Sequence, residues 1–237
     1  MEETNNNHDI TRRTLLAALG IGGVATVGSM YSKLVLSNRT AAEARDLVEV
    51  VTREEWAANA DTVAYGADVE AKPRGTTLGF LYIPRLRPEV WGFPIVEGTN
   101  PKQLTAGVGH LLQTALPGED GNVALFGHRT AYGKPFDRFN ELVKGDKVVI
   151  ETQSSWYVYT LVASAKVEPS AMWVAKPNPF ANGTLKGSIP NWKTMPKQVV
   201  SLITCTPKFS TDMRWVWWGT QTSVSDHSAP PSIVTAT

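Results

Sequence analysis

Between Thr77 and Gly219 the chain alternates short runs of β-branched, aliphatic and aromatic residues with clusters of Gly, Pro, Asn and Asp. Runs of that length and content, punctuated in that way, read as strands. They fall at Thr77 to Ile83, Trp91 to Val96, Asn122 to Phe126, Lys147 to Thr152, Trp156 to Lys166, Val199 to Cys205 and Arg214 to Gly219. Short helices fit at Lys102 to Thr105 and Phe136 to Leu142, and neither has the length of the crossover helix in a wound α/β sheet. The pattern therefore predicts a mostly β chain whose strands close into a barrel. Residues 171–196, interrupted by proline and glycine, are too long for a passive turn, and irregular segments of that length in compact domains tend to be binding loops.

The flanks follow other patterns. Met1 to Ile10 is polar, Arg12 and Arg13 follow, and Thr14 to Ser32 carries no charge through Leu15, Leu16, Leu19, Ile21, Val24, Val27 and Met30. That length suits a bilayer span of about 20 residues, with Lys33 at its far end. The arginines ahead of it predict a cytoplasmic N-terminus and export of everything after Ser37. Two other readings keep the export: a cleaved signal peptide with small residues at Ala42 to Ala44, and a twin-arginine signal in Thr11-Arg12-Arg13-Thr14-Leu15-Leu16. Ala41 to Trp56 alternates charges with Leu47, Val50 and Val51 at helical spacing, the pattern of an amphipathic helix. It reads as a stalk between membrane and barrel, with a lid across the active site as the sharper alternative. Residues 57–75, mixed polar with Gly66, Pro73 and Gly75, read as linker. Residues 221–237, rich in Ser, Thr, Ala and Pro, read as a disordered tail in which His227 is idle. The expected division is a cytoplasmic tail with a transmembrane or signal segment over 1–36, a helical stalk and linker over 37–75, a catalytic barrel over 76–220 and the tail over 221–237.

Composition narrows this little. A chain of 237 residues with a net charge of +1 can bury one sizeable core plus a tail, and nothing in its charge balance points to nucleic acid. Its eight tryptophans favour β packing or a surface that contacts peptide or sugar.

The candidate chemistry begins with Cys205, which is the one cysteine in the chain. A lone thiol can form neither an internal disulfide nor a multi-thiolate metal site, so packing and nucleophilic chemistry remain. Cys205 closes the run Ser201-Leu202-Ile203-Thr204-Cys205, and Thr206-Pro207 then stops the strand because proline has no N–H to continue a ladder. The thiol therefore sits at a strand mouth. His128, in Leu125-Phe126-Gly127-His128-Arg129-Thr130-Ala131-Tyr132-Gly133, also leaves a strand end, and an imidazole facing a thiol can take its proton. Arg214 opens the aromatic strand Arg214-Trp215-Val216-Trp217-Trp218, and if that strand forms a hairpin with its predecessor, Cys205 and Arg214 meet across its open end. A guanidinium there presents a fork of donors to a developing oxyanion. His110 also precedes the cysteine, but it lies outside an evident strand and beside no polar motif, so local sequence favours His128. No metal-ligand spacing and no phosphate-binding glycine loop occurs, so no cofactor is expected.

The order His, Cys, Arg, with the cysteine closing Ser-Leu-Ile-Thr-Cys, resembles the sortase family and its Thr-Leu-x-Thr-Cys signature, with Ser201 in place of the first Thr. The resemblance runs from about 76 to 219 and takes in Ile83-Pro84-Arg85-Leu86 and Ala115-Leu116-Pro117-Gly118. Gly127-His128-Arg129-Thr130, Tyr132-Gly133, Pro135-Phe136 and the short interval from Cys205 to Arg214 are most similar to actinobacterial class E enzymes. It implies a closed barrel of about eight strands and a catalytic trio of His128, Cys205 and Arg214. It also implies substrate contacts from Thr204, Met172, Trp173 and Val174. The implied partners are exported proteins bearing an LPxTG-like or LAxTG-like sorting signal, a peptidoglycan-precursor or other amine acceptor, and the membrane. Gly109-His110 matches an upstream, noncatalytic segment that often continues with Tyr, where this chain has Leu111, so the choice between the two signals stays open. The alternatives are another exported Cys/His peptidase and a noncatalytic wall-binding barrel. Papain-like chains place Cys before His, and the Ser-x-Gly-Cys pattern of L,D-transpeptidases is absent.

Overall fold

The computed structural model describes residues 41–59, 73–181, 185, 192–194 and 196–236. The expected membrane or signal segment and most of the expected linker lie outside the described residues. The strands are β1 (Thr77–Tyr82), β2 (Trp91–Glu97), β3 (Val108–His110), β4 (Gly121–Phe126), β5 (Lys147–Glu151), β6 (Ser155–Val167), β7 (Gln198–Thr206) and β8 (Met213–Asp226). They form a closed barrel in the order β1-β2-β3-β4-β7-β8-β6-β5, with β5 returning antiparallel to β1. The β2–β3 and β4–β7 pairs are parallel and the others antiparallel.

Each run of β-branched and aromatic residues became a strand. The one the pattern missed is β3, whose three residues are too few to show an alternation, and which exists because it pairs with β2 on one side and β4 on the other. The helix expected near Lys102 forms as α2, which follows α1 (Ala41–Ala58) and spans Pro101–Ala106. The one expected over 136–142 shrinks to a single 3-10 turn at Phe139–Glu141.

Side-chain alternation sorts each strand between two apolar clusters. On β7, Val200 and Leu202 point into the barrel beside Leu125, Tyr159 and Trp217. Val199 and Ile203 point outward with Ala124, Val216 and Trp218, under a segment that includes Val174 and Phe180. That outer face is where the candidate site lies.

Two expectations about the flanks are corrected. Helix α1 is not a free stalk: Val48, Thr52 and Trp56 are buried, a stripe at four-residue spacing that differs from the expected one, and Val50 is exposed. Val48 packs with Val96 of β2 and Ala106 of α2, and Trp56 packs edge-on against Phe80. Residues 221–236 are not a disordered tail. Strand β8 continues to Asp226, pairing with the first half of β6 through Ser155↔Asp226 and Tyr157↔Val224. Its Ser- and Thr-rich end carries little apolar signal because the backbone ladder with β6, not side-chain burial, holds it. A single helical turn, α3 (Ser232–Thr235), then packs Ile233 and Val234 against the cluster of Trp56, Phe80 and Trp156.

His227 is not idle. Its ring stacks on Trp156 with centroids 5.8 Å apart, and its Nε2 lies 3.0 Å from the buried carboxylate of Glu151. Arg53 of α1 and the Tyr82 hydroxyl donate to the same carboxylate. Burial pushes the Glu151 pKa up, but the hydrogen bonds from His227, Arg53 and Tyr82 outweigh it and hold the group below the ordinary carboxylate value. Both ends of the described chain are thus tied to one side chain of β5. No helix among the described residues is long and apolar enough to cross a membrane.

Candidate active site

The β4–β7 register is the starting point. Parallel pairing runs from Gly121↔Gln198 to Phe126↔Ile203, a constant offset. Carried two residues past the end of β4, that offset places His128 level with Cys205. On the other side of β7, Cys205 is the direct register partner of Arg214. The three sequence-predicted residues therefore form one lateral row across the ends of β4, β7 and β8. All three share the outward parity: His128 continues Ala124 and Phe126, Cys205 continues Val199 and Ile203, and Arg214 precedes Val216 and Trp218. One sequence expectation is amended. Residues 207–212 connect β7 to β8, so Cys205 and Arg214 meet at the closed end of the hairpin, not the open one.

Local bonds hold this row. Gly127 N–H donates to the Ile203 carbonyl at 3.0 Å, and the Thr204 hydroxyl donates back to the Gly127 carbonyl at 2.8 Å. On the far side of His128, Phe136 N–H donates to its carbonyl, closing a loop whose tip, Tyr132 to Lys134, takes three successive left-handed conformations. The Tyr132 ring, exposed to solvent, lies 5.1 Å from the imidazole. Arg45 of α1 reaches this loop tip, since a Cβ on Gly133 would fall 1.9 Å from its Nη1. Farther along α1, Val48 packs on Val96 and Ala106, and Trp56 on Phe80.

His128 Nε2 is buried and has no hydrogen-bond partner among the described residues. Burial lowers the His128 pKa below its ordinary value, which favours the neutral imidazole, the form that can accept a proton. Arg214 is partly buried, and its Nη1 donates to the carbonyls of Thr211 and Met213, which anchors the guanidinium at the loop end. His110 is elsewhere: buried on β3, with Nδ1 on the Glu97 carboxylate at 3.1 Å and Nε2 within 3.0 Å of the Ala115 carbonyl. With both nitrogens engaged there, it has none for a thiol.

The expected substrate contacts separate. Met172 is exposed, and Trp173 stacks on Trp218 at 5.6 Å, so both border the outer face. Val174 is buried in the outer cluster and Thr204 is buried against Gly127, so these two side chains are structural and are not surface contacts. The Val174 carbonyl is a junction, accepting from Asn122 Nδ2 at 3.0 Å and Trp218 Nε1 at 3.1 Å, with Ser201 Oγ 3.2 Å away. Ser201 Oγ also lies 2.8 Å from Asn122 Oδ1. Sequence reasoning missed Asn122; a polar residue among the apolar ones of β4 was the available signal. It also passed over Arg129, whose Nη1 donates to Thr206 Oγ1 at 3.0 Å.

A family model for the sortase domain matches residues 81–222. The chain belongs to the sortase family. This sortase is 38% identical to Sortase SrtE1 of Streptomyces coelicolor over 61% of its length, and it spans 40% of that relative. It is 29% identical to Sortase SrtE2 of the same organism over 86% of its length, spanning 78% of that protein. Among solved structures, Sortase E1 from Streptomyces coelicolor with a tripeptide in the active site superposes with a TM-score of 0.59 at 31% identity. That match covers 69% of this sortase and 99% of the other chain. The His, Cys and Arg positions that the resemblance implied are the ones the register brings to one row.

Proposed function

We propose that this sortase is a membrane-anchored cysteine transpeptidase that cleaves an LPxTG-like or LAxTG-like sorting signal between Thr and Gly and joins the released carboxyl end to an amine. The observation that carries the reading is the row of His128, Cys205 and Arg214 at one level on adjacent strands. Neutral His128 takes the thiol proton, and the Cys205 sulfur attacks the Thr carbonyl carbon. Donors of Arg214 stabilise the oxyanion that forms. The imidazolium then returns its proton to the departing glycine amine as the C–N bond breaks, leaving a thioester on Cys205. An incoming amine, deprotonated by the same imidazole, attacks the thioester, forms the new amide and releases the sulfur. A peptidoglycan precursor or a pilin supplies that amine.

In this reading residues 14–32 span the membrane, the N-terminus is cytoplasmic and the barrel is outside the cell. External protease on intact cells expressing the full chain should reach residues after Ser37 and spare Met1 to Ile10; protection of the barrel would overturn the topology.

The test of the chemistry is mass spectrometry of the full-length protein after exposure to LPxTG and LAxTG peptides. An acyl adduct on Cys205 that a glycine-type amine discharges is expected, and the peptide that forms it faster sets the preference. Adducts absent with both peptides, or present in Cys205→Ala, would reject the assignment. Peptide affinity without acylation would instead favour a noncatalytic wall-binding barrel.

A further inference from the structure

Resting on that reading, we propose that Arg129 is a positioning residue of the reaction, clamping the end of β4 to the ends of β7 and β8 so that His128 and Cys205 stay level. The rung below the reactive pair is closed by Gly127 and Thr204. The rung above is closed by Arg129 Nη1 on Thr206 Oγ1, 3.0 Å apart and buried. Between them, His128 Nε2 has no partner among the described residues, so it does not itself fix the imidazole against Cys205. The lower rung has a backbone hydrogen bond in it. The upper rung has a side chain in its place, because β4 ended at Phe126 and the chain is turning into the left-handed loop tip.

The guanidinium is built into this place. Arg129 is 7% exposed and points to the barrel interior, opposite to the row, with its guanidinium 5.1 Å from the Trp215 ring. Trp215 follows Arg214 on β8 and is itself braced edge-on by Phe139 at 5.8 Å. One side chain, three residues past the end of β4, therefore meets both β7 and β8. Asp137, held by Lys208 at 2.7 Å, adds a second tie between the His128 loop and the β7–β8 connection. As a packing element alone Arg129 is a poor choice: burial lowers its pKa, and its buried Nε has no partner among the described residues. An apolar side chain of similar volume fills such a place at lower cost. The geometry that its fork imposes is what an apolar side chain would lack.

The test uses Cys205 as its own reporter, through the rate at which iodoacetamide alkylates the full-length protein at pH 7, beside thermal melts and single-turnover peptide acylation. Arg129→Met, Thr206→Val, the double variant and His128→Ala are compared. If Arg129 acts through Thr206, Arg129→Met and Thr206→Val each slow alkylation about tenfold toward the His128→Ala rate, with peptide affinity unchanged. The double variant is then no slower than Arg129→Met, because the two losses are one interaction. Arg129→Lys, which keeps one donor, recovers part of the rate. Where Arg129→Met fails to fold, Thr206→Val decides, since it keeps the guanidinium and removes only the bond. Wild-type alkylation by folded Thr206→Val, or losses that simply add, overturn the inference. Wild-type alkylation by His128→Ala removes the catalytic reading and the inference with it, whereas a slow His128→Ala beside a fast Arg129→Met removes the inference alone.

Discussion

Asn122→Ala should destabilise the barrel and loosen the Met172–Ala175 turn over its outer face without touching a reactive atom. Asn122 is 1% exposed, and its amide donates to the Val174 and Lys176 carbonyls at 3.0 and 3.1 Å while accepting from Ser201 at 2.8 Å. Each such bond contributes about 1 kcal/mol net. The loss leaves no buried carbonyl without a partner: Val174 keeps Trp218 as a donor, the Ser201 hydroxyl, released by Asn122, is free to turn to it, and Lys176 lies in an exposed stretch that water reaches. The missing amide leaves a small void costing about 1 kcal/mol. Allowing for relaxation, the sum is about 3 kcal/mol, which for a barrel of this size lowers Tm by about 6–12 °C. Asn122→Asp keeps the shape but turns two donors into an acceptor facing carbonyl oxygens, so it should be less stable than the alanine variant at pH 7 and recover partly in acid, where a protonated carboxyl can donate. Thermal melts rank the three proteins. Single-turnover acylation over a range of peptide concentrations should show weaker binding with a near-normal limiting rate, because Met172 and Trp173 ride on the segment that Asn122 pins. An aspartate variant as stable as wild type, or an alanine variant within 1 °C of it, would refute the hydrogen-bond account.

Arg214→Lys should fold and bind peptide yet acylate roughly 10²- to 10³-fold more slowly, with Arg214→Ala at least as slow, measured as single-turnover rates beside melts; near-normal acylation by folded Arg214→Ala would take the residue out of the mechanism. Burial keeps the His128 pKa below its ordinary value of about 6.5. The limb of kcat/KM that requires the neutral imidazole should therefore be centred below 6.5, and a decline centred above that value would contradict the burial argument. Burial raises and the bonds from His227, Arg53 and Tyr82 more strongly lower the Glu151 pKa, so its stabilisation is present above the unfolded value of about 4.3 and is lost as pH falls through the folded one. Glu151→Gln should cost about 1–3 kcal/mol at pH 7, the lower end reflecting the 38% exposure of the Arg53 and His227 side chains. The gap in Tm from wild type should narrow below pH 4, and a gap that is constant with pH would show the charge to be irrelevant.

The sequence by itself determined the strands whose side chains alternate between two buried faces, because burial on both faces favours aliphatic, β-branched and aromatic residues along most of β4, β7 and the first half of β8. It also singled out His128, Cys205 and Arg214 as the candidate trio, through their places at strand ends and through the resemblance that the Ser-Leu-Ile-Thr-Cys and Gly-His-Arg-Thr segments carry. Where side chains carry no burial signal, it was silent. Strand β3 and the far end of β8 exist through backbone pairing to neighbours, which any side chain permits. The stripe on α1 was misjudged because which helical face is buried depends on what it meets, here Val96, Ala106 and Phe80. Thr204 and Val174, expected at the substrate, are buried, and the hydrogen bonds of Arg129 to Thr206 and of Asn122 to the Val174 carbonyl were not announced by any sequence pattern. What only the tertiary structure decided is register: the offset between β4 and β7, set by six successive rungs of parallel pairing, puts residues far apart in sequence on one level. No local property of His128, Cys205 or Arg214 encodes that, because it is a property of how whole strands align.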